Sequence, residues 1–499
     1  MIPVPGFEGR RVAVFGLGRS GITAARALQA GGAVPILWDD GVSGRMQAEA
    51  EGFAVEDLTA ADWSGFAALV LSPGAPLTHP KPHWTVDRAT AAGVPVIGDV
   101  ELFARAVAAL PHAQRPKVVA ITGTNGKSTT TALIGWVLKQ AGLTVHVGGN
   151  IGIGVLALPA PTPDAVYVIE VSSYQLDLTT TFAPDVAILT NISPDHLDRH
   201  GGMEGYVAAK KRIFQAQGAE EMAVVGVDES WGREIASTLS QRVITISSSA
   251  HPGESRDPAL SPGHDAWDQR LAASQPSEGP KDWVPAFAGM SGIEVEAGSI
   301  RTNGQAIADL TVARSLPGRH NAQNAAFAYA AARALGVPHD AAVEGLLTFP
   351  GLAHRMEAIG HIGPVRVIND SKATNADAAR QAQSSYPSVF WIAGGKPKEG
   401  GIDDLTDLFP RIAKAYLIGE AAGEFRLKLA ASGVPAEPSG DMETAVAAAA
   451  RDAADAGGPQ IVLLSPACAS FDQYPDFEAR GEAFRAAALN LGATPETAS

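Results

Sequence analysis

Short apolar runs separated by glycine turns and alanine-rich helical stretches recur along the chain. Residues 11–15 (Arg-Val-Ala-Val-Phe) form one run; a glycine turn, an alanine-rich stretch and a second run at 35–38 follow. Such runs read as strands buried on both faces, and their alternation with helices predicts βαβ units on parallel sheets. Further strand cores are predicted at 69–71 and 94–97. The segment 109–116 (Ala-Leu-Pro-His-Ala-Gln-Arg-Pro) breaks the pattern and predicts a linker. A second strand–loop–helix unit opens at 117–121 and continues through apolar runs at 165–171 and 185–189. A third α/β region is predicted from 316, with strands at 365–368, 388–392, 415–418 and 460–464. Residues 248–292 hold no sustained period of 2 or 3.6 and are rich in Ser, Pro, Gly and Asp. They read as an inserted surface loop or disordered segment, with Trp267 and Trp283 as the argument for a structured irregular subdomain.

Composition narrows the classes. The 499 residues are 46% hydrophobic and carry a net charge of −15. That length allows about three domains, and the acidity argues against a nucleic-acid partner. Cys468 is the one cysteine, so no intramolecular disulfide forms, which fits a reducing cytosol. The first residues lack the basic and apolar regions of a signal peptide, and no apolar run approaches the roughly 20 residues needed to span a bilayer. Membrane insertion is not expected, and the expected compartment is the cytoplasm.

The strongest local signal is Ala120-Ile-Thr-Gly-Thr-Asn-Gly-Lys-Ser-Thr-Thr-Thr131, between a strand and a helix. Glycines let backbone N–H groups surround phosphate oxygens, and the helix N-terminus adds positive potential. Lys127 would reach the β- and γ-phosphates, and a hydroxyl of Ser128 or Thr129 would ligate Mg²⁺. Ile121 stands where the full phosphate-loop pattern has glycine. Gly16-Leu-Gly-Arg-Ser-Gly21 matches G-x-G-x-x-G, and Asp39 and Asp40 end the next strand near the spacing of a ribose-binding acid. Alone this reads as an NAD site. A second phosphate loop begins near 117, however, so one mononucleotide half fits a nucleoside diphosphate better. Ser72-Pro-Gly74 is another loop able to approach phosphate.

With these blocks the chain resembles the Mur ligase superfamily, and within it the D-glutamate-adding family. Supporting blocks, in order, are Gly148-Gly-Asn-Ile-Gly152, Glu170-Val-Ser-Ser-Tyr-Gln-Leu176, Asn191-Ile-Ser-Pro-Asp-His-Leu-Asp198 and Tyr206-Val-Ala-Ala-Lys-Lys-Arg212. Gly318-Arg-His-Asn-Ala-Gln-Asn324, Ala353-His-Arg355, Asn369-Asp-Ser-Lys-Ala-Thr-Asn375, Gly394-Gly-Lys-Pro-Lys398 and Leu463-Leu-Ser-Pro-Ala-Cys-Ala-Ser-Phe-Asp-Gln473 follow. The resemblance implies three α/β domains: a Rossmann-like one at 1–112 binding a UDP-linked substrate, a P-loop-type ATPase domain with a mainly parallel sheet at 113–315, and a Rossmann-like amino-acid-binding domain at 316–499. It implies an ATP-dependent ligase joining D-glutamate to UDP-N-acetylmuramoyl-L-alanine through an acyl-phosphate, with ATP and two Mg²⁺ ions, acting as a monomer in cytoplasmic peptidoglycan precursor synthesis.

Residue roles are carried over on the same blocks. Gly123, Thr124, Asn125, Gly126, Lys127, Ser128 and Thr129 would hold the phosphates, with Asn321 and Asn324 on the adenine side. Ser128, Glu170, His196 and Lys210 would hold the metal ions, Lys210 as a carbamate; bulk reading makes Lys210 one of three solvated helix charges. Arg355 would contact phosphate, and Asp370 and Lys372 form an ATP- and glutamate-side pair. Lys372, Thr374, Lys398, Ser470, Phe471 and Phe477 would line the amino-acid pocket. Gly18, Arg19, Ser20, Asp39, Gly74 and Asn150 fall on the uridine side. There the chain departs from the family: Asp40 and Gly41 stand where a small hydroxyl and a basic residue are expected. The catalytic set is Lys127, His196, Lys210, Arg355 and Lys372. A ligase adding a different amino acid, a folylpolyglutamate synthetase, an NAD-dependent oxidoreductase and a non-catalytic nucleotide-binding scaffold remain the alternatives.

Overall fold

The computed structural model describes residues 1–248, 292–296, 298–313, 315–316, 318–397 and 400–494. Two compact units divide it, Met1–Phe349 and Pro350–Ser499.

The first unit holds two sheets. One is fully parallel, ordered Ala54–Val55, Val34–Trp38, Arg11–Phe15, Phe66–Leu71 and Val96–Ile97. The other has nine strands with Lys117–Thr122 between Val186–Leu189 and Ala165–Glu170; Thr144–Gly149 forms one edge. Past Val186–Leu189 come Met222–Gly226, Arg242–Ser248 and Gly292–Glu296, all parallel; the antiparallel strands Ser299–Thr302 and Gln305–Asp309 finish the other side. Every residue of Ala165–Glu170 is buried, as expected of a central parallel strand covered on both faces.

The two sheets share one apolar core. Their junction is also polar. Glu101, wholly buried, accepts the backbone N–H groups of Thr180 and Thr181 and both their hydroxyls, while Gln175 donates to Asp99. A carboxylate with four such donors and Arg105 beside it stays charged: its pKa falls although burial alone would raise it.

The second compact unit begins at Pro350. Helix Arg319–Ala334 is buried on nearly every face, so it cannot start a separate surface. It packs on the phosphate-loop helix Lys127–Gln140, as does helix His339–Leu347, where a Cβ at Gly345 would lie 2.9 Å from Val137 Cα. Of the expected insert, Ser248 and Gly292 are strand residues on neighbouring parallel strands; 249–291 lie outside the described residues.

The second unit has one six-stranded sheet. Glu357–Ile362 pairs antiparallel with Val365–Asn369; Gln460–Leu464, Val389–Gly394, Ile412–Ile418 and Ala436–Gly440 continue in parallel. The segments after its parallel strands carry Asp370, Lys372, Thr374, Ser470 and Phe471, where open α/β sheets bind ligands, while Arg355 precedes the antiparallel strand Glu357–Ile362.

Candidate active site

The phosphate loop joins strand Lys117–Thr122 to helix Lys127–Gln140. Its glycines are forced. Gly123 has φ +147°, and a Cβ there would lie 1.9 Å from Thr190 Oγ1; Gly126 has φ +79°, and its Cβ would lie 2.5 Å from Asn324 Oδ1. Asn191 shapes the loop by accepting from Thr124 N (3.0 Å, on its carbonyl) and Asn125 N (2.8 Å, on its side chain). Those two N–H groups therefore serve the loop itself. The first intrahelical bond runs from Thr130 N to Gly126 O, so Lys127, Ser128 and Thr129 form the first turn, at the end of a helix that favours an anion. Lys127 Nζ donates to the Thr124 carbonyl at 2.7 Å, folded over the loop. Ser128 is buried in the first turn.

Lys210, on helix Met203–Lys211, is not a solvated charge. It is 2% exposed, its Nζ donates to the Gly123 carbonyl at 2.7 Å, and it lies 4.6 Å from the centroid of the Tyr206 ring. Burial, and then the cation of Lys127, hold its pKa well below the usual amine range; Asp195 and Glu170 oppose this. Glu170 ends strand Ala165–Glu170 and is also 2% exposed. Its Oε1 accepts from Asn150 Nδ2 at 3.0 Å, so Asn150 is tied to this acid. Its Oε2 is buried without a hydrogen-bond partner.

His196 has φ +52°, a strained setting for histidine, and its ring is half exposed. Burial lowers its pKa, Asp195 raises it, and Lys210 and Lys127 lower it again, so the neutral imidazole is favoured. Lys127, Glu170, His196 and Lys210 thus act electrostatically within one neighbourhood. Among the described residues no three His, Cys, Asp or Glu side chains form a ready metal cluster. The orphaned Glu170 Oε2, in a neighbourhood where burial and Lys127 disfavour the charged form of Lys210, nevertheless fits a divalent cation. A buried carboxylate oxygen with no hydrogen-bond partner is costly without one.

Asn324, 6% exposed, accepts from Thr130 Oγ1 at 3.2 Å and donates to Asn321 Oδ1 at 3.3 Å. Neither caps the helix, whose N-cap is Gly318. Motif reading did not single out Thr190, Asp195, Tyr206 or His200. Tyr206 Oη meets Thr124 Oγ1 at 3.0 Å, and buried His200 contacts Asp177 and Ser173 while stacking on Tyr174. Asp195 and Tyr206 lie inside quoted blocks; their signal was present and unassigned.

In the first sheet, Gly18 caps helix Arg19–Ala30, with Ser20 in its first turn, and Gly74 is exposed in the loop after Phe66–Leu71. Asp39 accepts from Leu17 N at 2.6 Å and Gly41 N at 2.7 Å. Its carboxylate holds the glycine turn closed.

In the second unit, Asp370 is buried and its pKa is pushed up to about 7 by burial, against Ser465 and the nearby charge of Arg355. It accepts from Ser465 Oγ at 2.9 Å and Met356 N at 3.2 Å. Lys372 Nζ lies 5.5 Å from the Phe477 ring, Thr374 N donates to the Lys372 carbonyl, Ser470 is buried and Phe471 is 71% exposed. Lys398 lies outside the described residues. Arg480, unassigned from sequence, is 1% exposed and donates to Ser371 Oγ, Ser371 O and Cys468 O, tying the loop of Asp370 and Lys372 to that of Ser470.

The Mur ligase middle domain family matches residues 121–332, and the Mur ligase glutamate ligase domain family matches 354–468. The chain is 58% identical over 495 residues to the UDP-N-acetylmuramoylalanine–D-glutamate ligase of Caulobacter sp. strain K31, covering 99% of this chain and 98% of that one. It is 50% identical to the enzyme of the same name from Nitrobacter hamburgensis, covering 99% and 100%. In fold it resembles the UDP-N-acetylmuramate-alanine ligase of Thermotoga maritima, at TM-score 0.55 and 16% identity over 96% of this chain and 99% of that one. Phosphate loop, buried lysine and acid, and full-length identity agree: this chain belongs to the UDP-N-acetylmuramoylalanine–D-glutamate ligase family of the Mur ligases.

Proposed function

We propose that the chain is an ATP-dependent ligase that joins D-glutamate to UDP-N-acetylmuramoyl-L-alanine in cytoplasmic peptidoglycan precursor synthesis, acting as a monomer. The L-alanyl carboxylate attacks the γ-phosphorus of ATP, ADP leaves, and an acyl-phosphate forms. The D-glutamate amine then attacks the acyl carbon, loses a proton, and inorganic phosphate leaves as the amide forms. Two anions must approach each other in the first step, so the chain has to supply positive charge and alignment.

The observation that carries this reading is the pairing of Lys127 and Lys210 on the two sides of the phosphate loop, one amine on the Thr124 carbonyl and the other on that of Gly123. Lys127 neutralises transferring phosphate. Lys210, buried and with its pKa held well below the usual amine range, would as the free amine attack CO₂ through nitrogen and lose a proton, giving a carbamate. Glu170, His196, Ser128 and that carbamate would hold two Mg²⁺ ions, which supply Lewis-acid charge neutralisation. Asn321 and Asn324 face the nucleotide side; Arg355 and Asp370 serve the phosphates, and Lys372, Thr374, Lys398, Ser470, Phe471 and Phe477 the amino acid. Gly18, Arg19, Ser20, Asp39 and Gly74 hold the UDP moiety.

ADP release measured with the UDP-linked acceptor and D-glutamate, L-alanine or diaminopimelate tests the reading. Release dependent on D-glutamate supports it. Release with another amino acid, or none with any, refutes it.

A further inference from the structure

Beyond the acid that ends strand Ala165–Glu170 comes the short helix Ser173–Asp177. Its start is fixed twice. Ser172 accepts the backbone N–H of Gln175 while Gln175 accepts that of Ser172, a reciprocal cap. The Gln175 amide also donates to both oxygens of buried Asp99. Packed against this helix is the single turn Leu197–His200. It is bounded by two residues of left-handed backbone, His196 at φ +52° and Gly201 at φ +71°. One turn of helix does not sustain itself, and a left-handed histidine persists only where its surroundings enforce it. Of the turn's four residues only His200 is buried.

His200 ties the turn to the helix. Its Nδ1 lies 3.1 Å from Asp177 Oδ2 and its Nε2 lies 3.0 Å from Ser173 Oγ. A carboxylate only accepts, so Nδ1 carries a proton, and two partners on opposite sides of the ring fix its plane. The ring then sets its neighbours. Tyr174 stacks on it at 5.3 Å and 10°, and the Tyr206 ring lies 5.5 Å away. Tyr174 in turn meets the His196 ring at 5.0 Å and the Arg199 guanidinium at 4.7 Å. Ring contacts thus run without a break from a buried, hydrogen-bonded imidazole to the half-exposed one of His196.

We infer that His200 is a positioning residue for His196. Held by Asp177 and Ser173, it fixes the turn and the Tyr174 ring, and so presents the His196 imidazole to a divalent cation. His200 is not itself a ligand: its side chain is 2% exposed and both ring nitrogens are engaged. This rests on the proposed metal side of the site and adds what holds one of its ligands in place.

The test is Mn²⁺ binding to the full chain with ADP present, read from the electron paramagnetic resonance of free Mn²⁺, beside calorimetric ADP binding without metal. His200→Phe keeps a ring beside the tyrosines and loses both hydrogen bonds. It should weaken Mn²⁺ binding roughly tenfold, the lower end of what is lost with the outer partners of a metal ligand, and leave metal-free ADP binding within about threefold. Asp177→Ala should also weaken Mn²⁺ binding, while Asp177→Asn, which keeps an oxygen to accept from Nδ1, should stay within about threefold of the unmodified chain. In a His196→Ala background, His200→Phe should change Mn²⁺ affinity by less than about twofold, because the two act as one unit. Unchanged Mn²⁺ affinity in His200→Phe and Asp177→Ala, an equal loss of metal-free ADP binding, or the same loss in the His196→Ala background overturns the inference. Failure of the unmodified chain to bind Mn²⁺ with ADP present refutes the metal reading, and the inference with it.

Discussion

Replacing Lys210 with alanine separates its structural role from its chemical one. Truncation removes the 2.7 Å bond to the Gly123 carbonyl, about 0.5–3 kcal/mol across the neutral and charged forms of the donor. It also removes three buried methylenes at about 0.8 kcal/mol each. Against this, it relieves the desolvation of the amine and its repulsion with Lys127, the two largest influences depressing its pKa. These terms oppose each other, and the net change in stability should stay within about 2 kcal/mol. Catalysis should suffer more: loss of one preorganised electrostatic group costs about a hundredfold to a thousandfold in rate. ADP release, followed alongside denaturant unfolding, should therefore collapse while the fold survives. Formate or acetate, small enough to enter the vacated space and supply a carboxylate, should restore part of it. The sign of the pH effect is also set. A depressed lysine pKa means the unfolded chain binds the extra proton, so stability rises with pH from the folded pKa up to the ordinary amine value, by at most about 1.4 kcal/mol per pH unit. Lys210→Ala should lose that rise. Full activity without added acid, or an unaltered pH profile of stability, would refute the reasoning.

Lys127→Ala should abolish ADP release with little loss of stability, since its amine bonds a loop carbonyl at a half-buried position; near-normal turnover would rule out the loop assignment. Gly126→Ala places a Cβ 2.5 Å from Asn324 Oδ1 at φ +79° and should cost on the order of 1–3 kcal/mol in unfolding experiments, together with ATP affinity. Asp370→Asn addresses a carboxyl whose pKa is raised to about 7. The stabilisation of its neutral form is complete below the ordinary Asp value and lost as pH rises through about 7, so the stability of the unmodified chain should fall over that window and the Asn variant should flatten it.

Much of the fold was legible because central parallel strands are continuous apolar runs. Residues 11–15, 117–121 and 460–464 stand out for that reason, and each is a strand. The partly polar strand Gln305–Asp309 at the sheet edge gives no such signal. Ala-rich 325–332 shows helix but not what it packs against; its partner, Lys127–Gln140, lies almost two hundred residues away. At the site, motif blocks carried Lys127, Glu170, His196 and Lys210. What they could not carry was pairing. That Asn191 shapes the loop, that Asn150 is bonded to Glu170, and that Asp40 meets His83 are contacts between distant segments.

The most direct measurement follows oxygen. The acceptor's terminal carboxylate is labelled with ¹⁸O, the reaction is run with ATP and D-glutamate, and the phosphorus-containing products are weighed by mass spectrometry. Attack of that carboxylate on a γ-phosphate gripped by Gly123 to Thr129 puts one label into inorganic phosphate and none into ADP. Label appearing in AMP, or phosphate released without label, would contradict an acyl-phosphate formed at this loop.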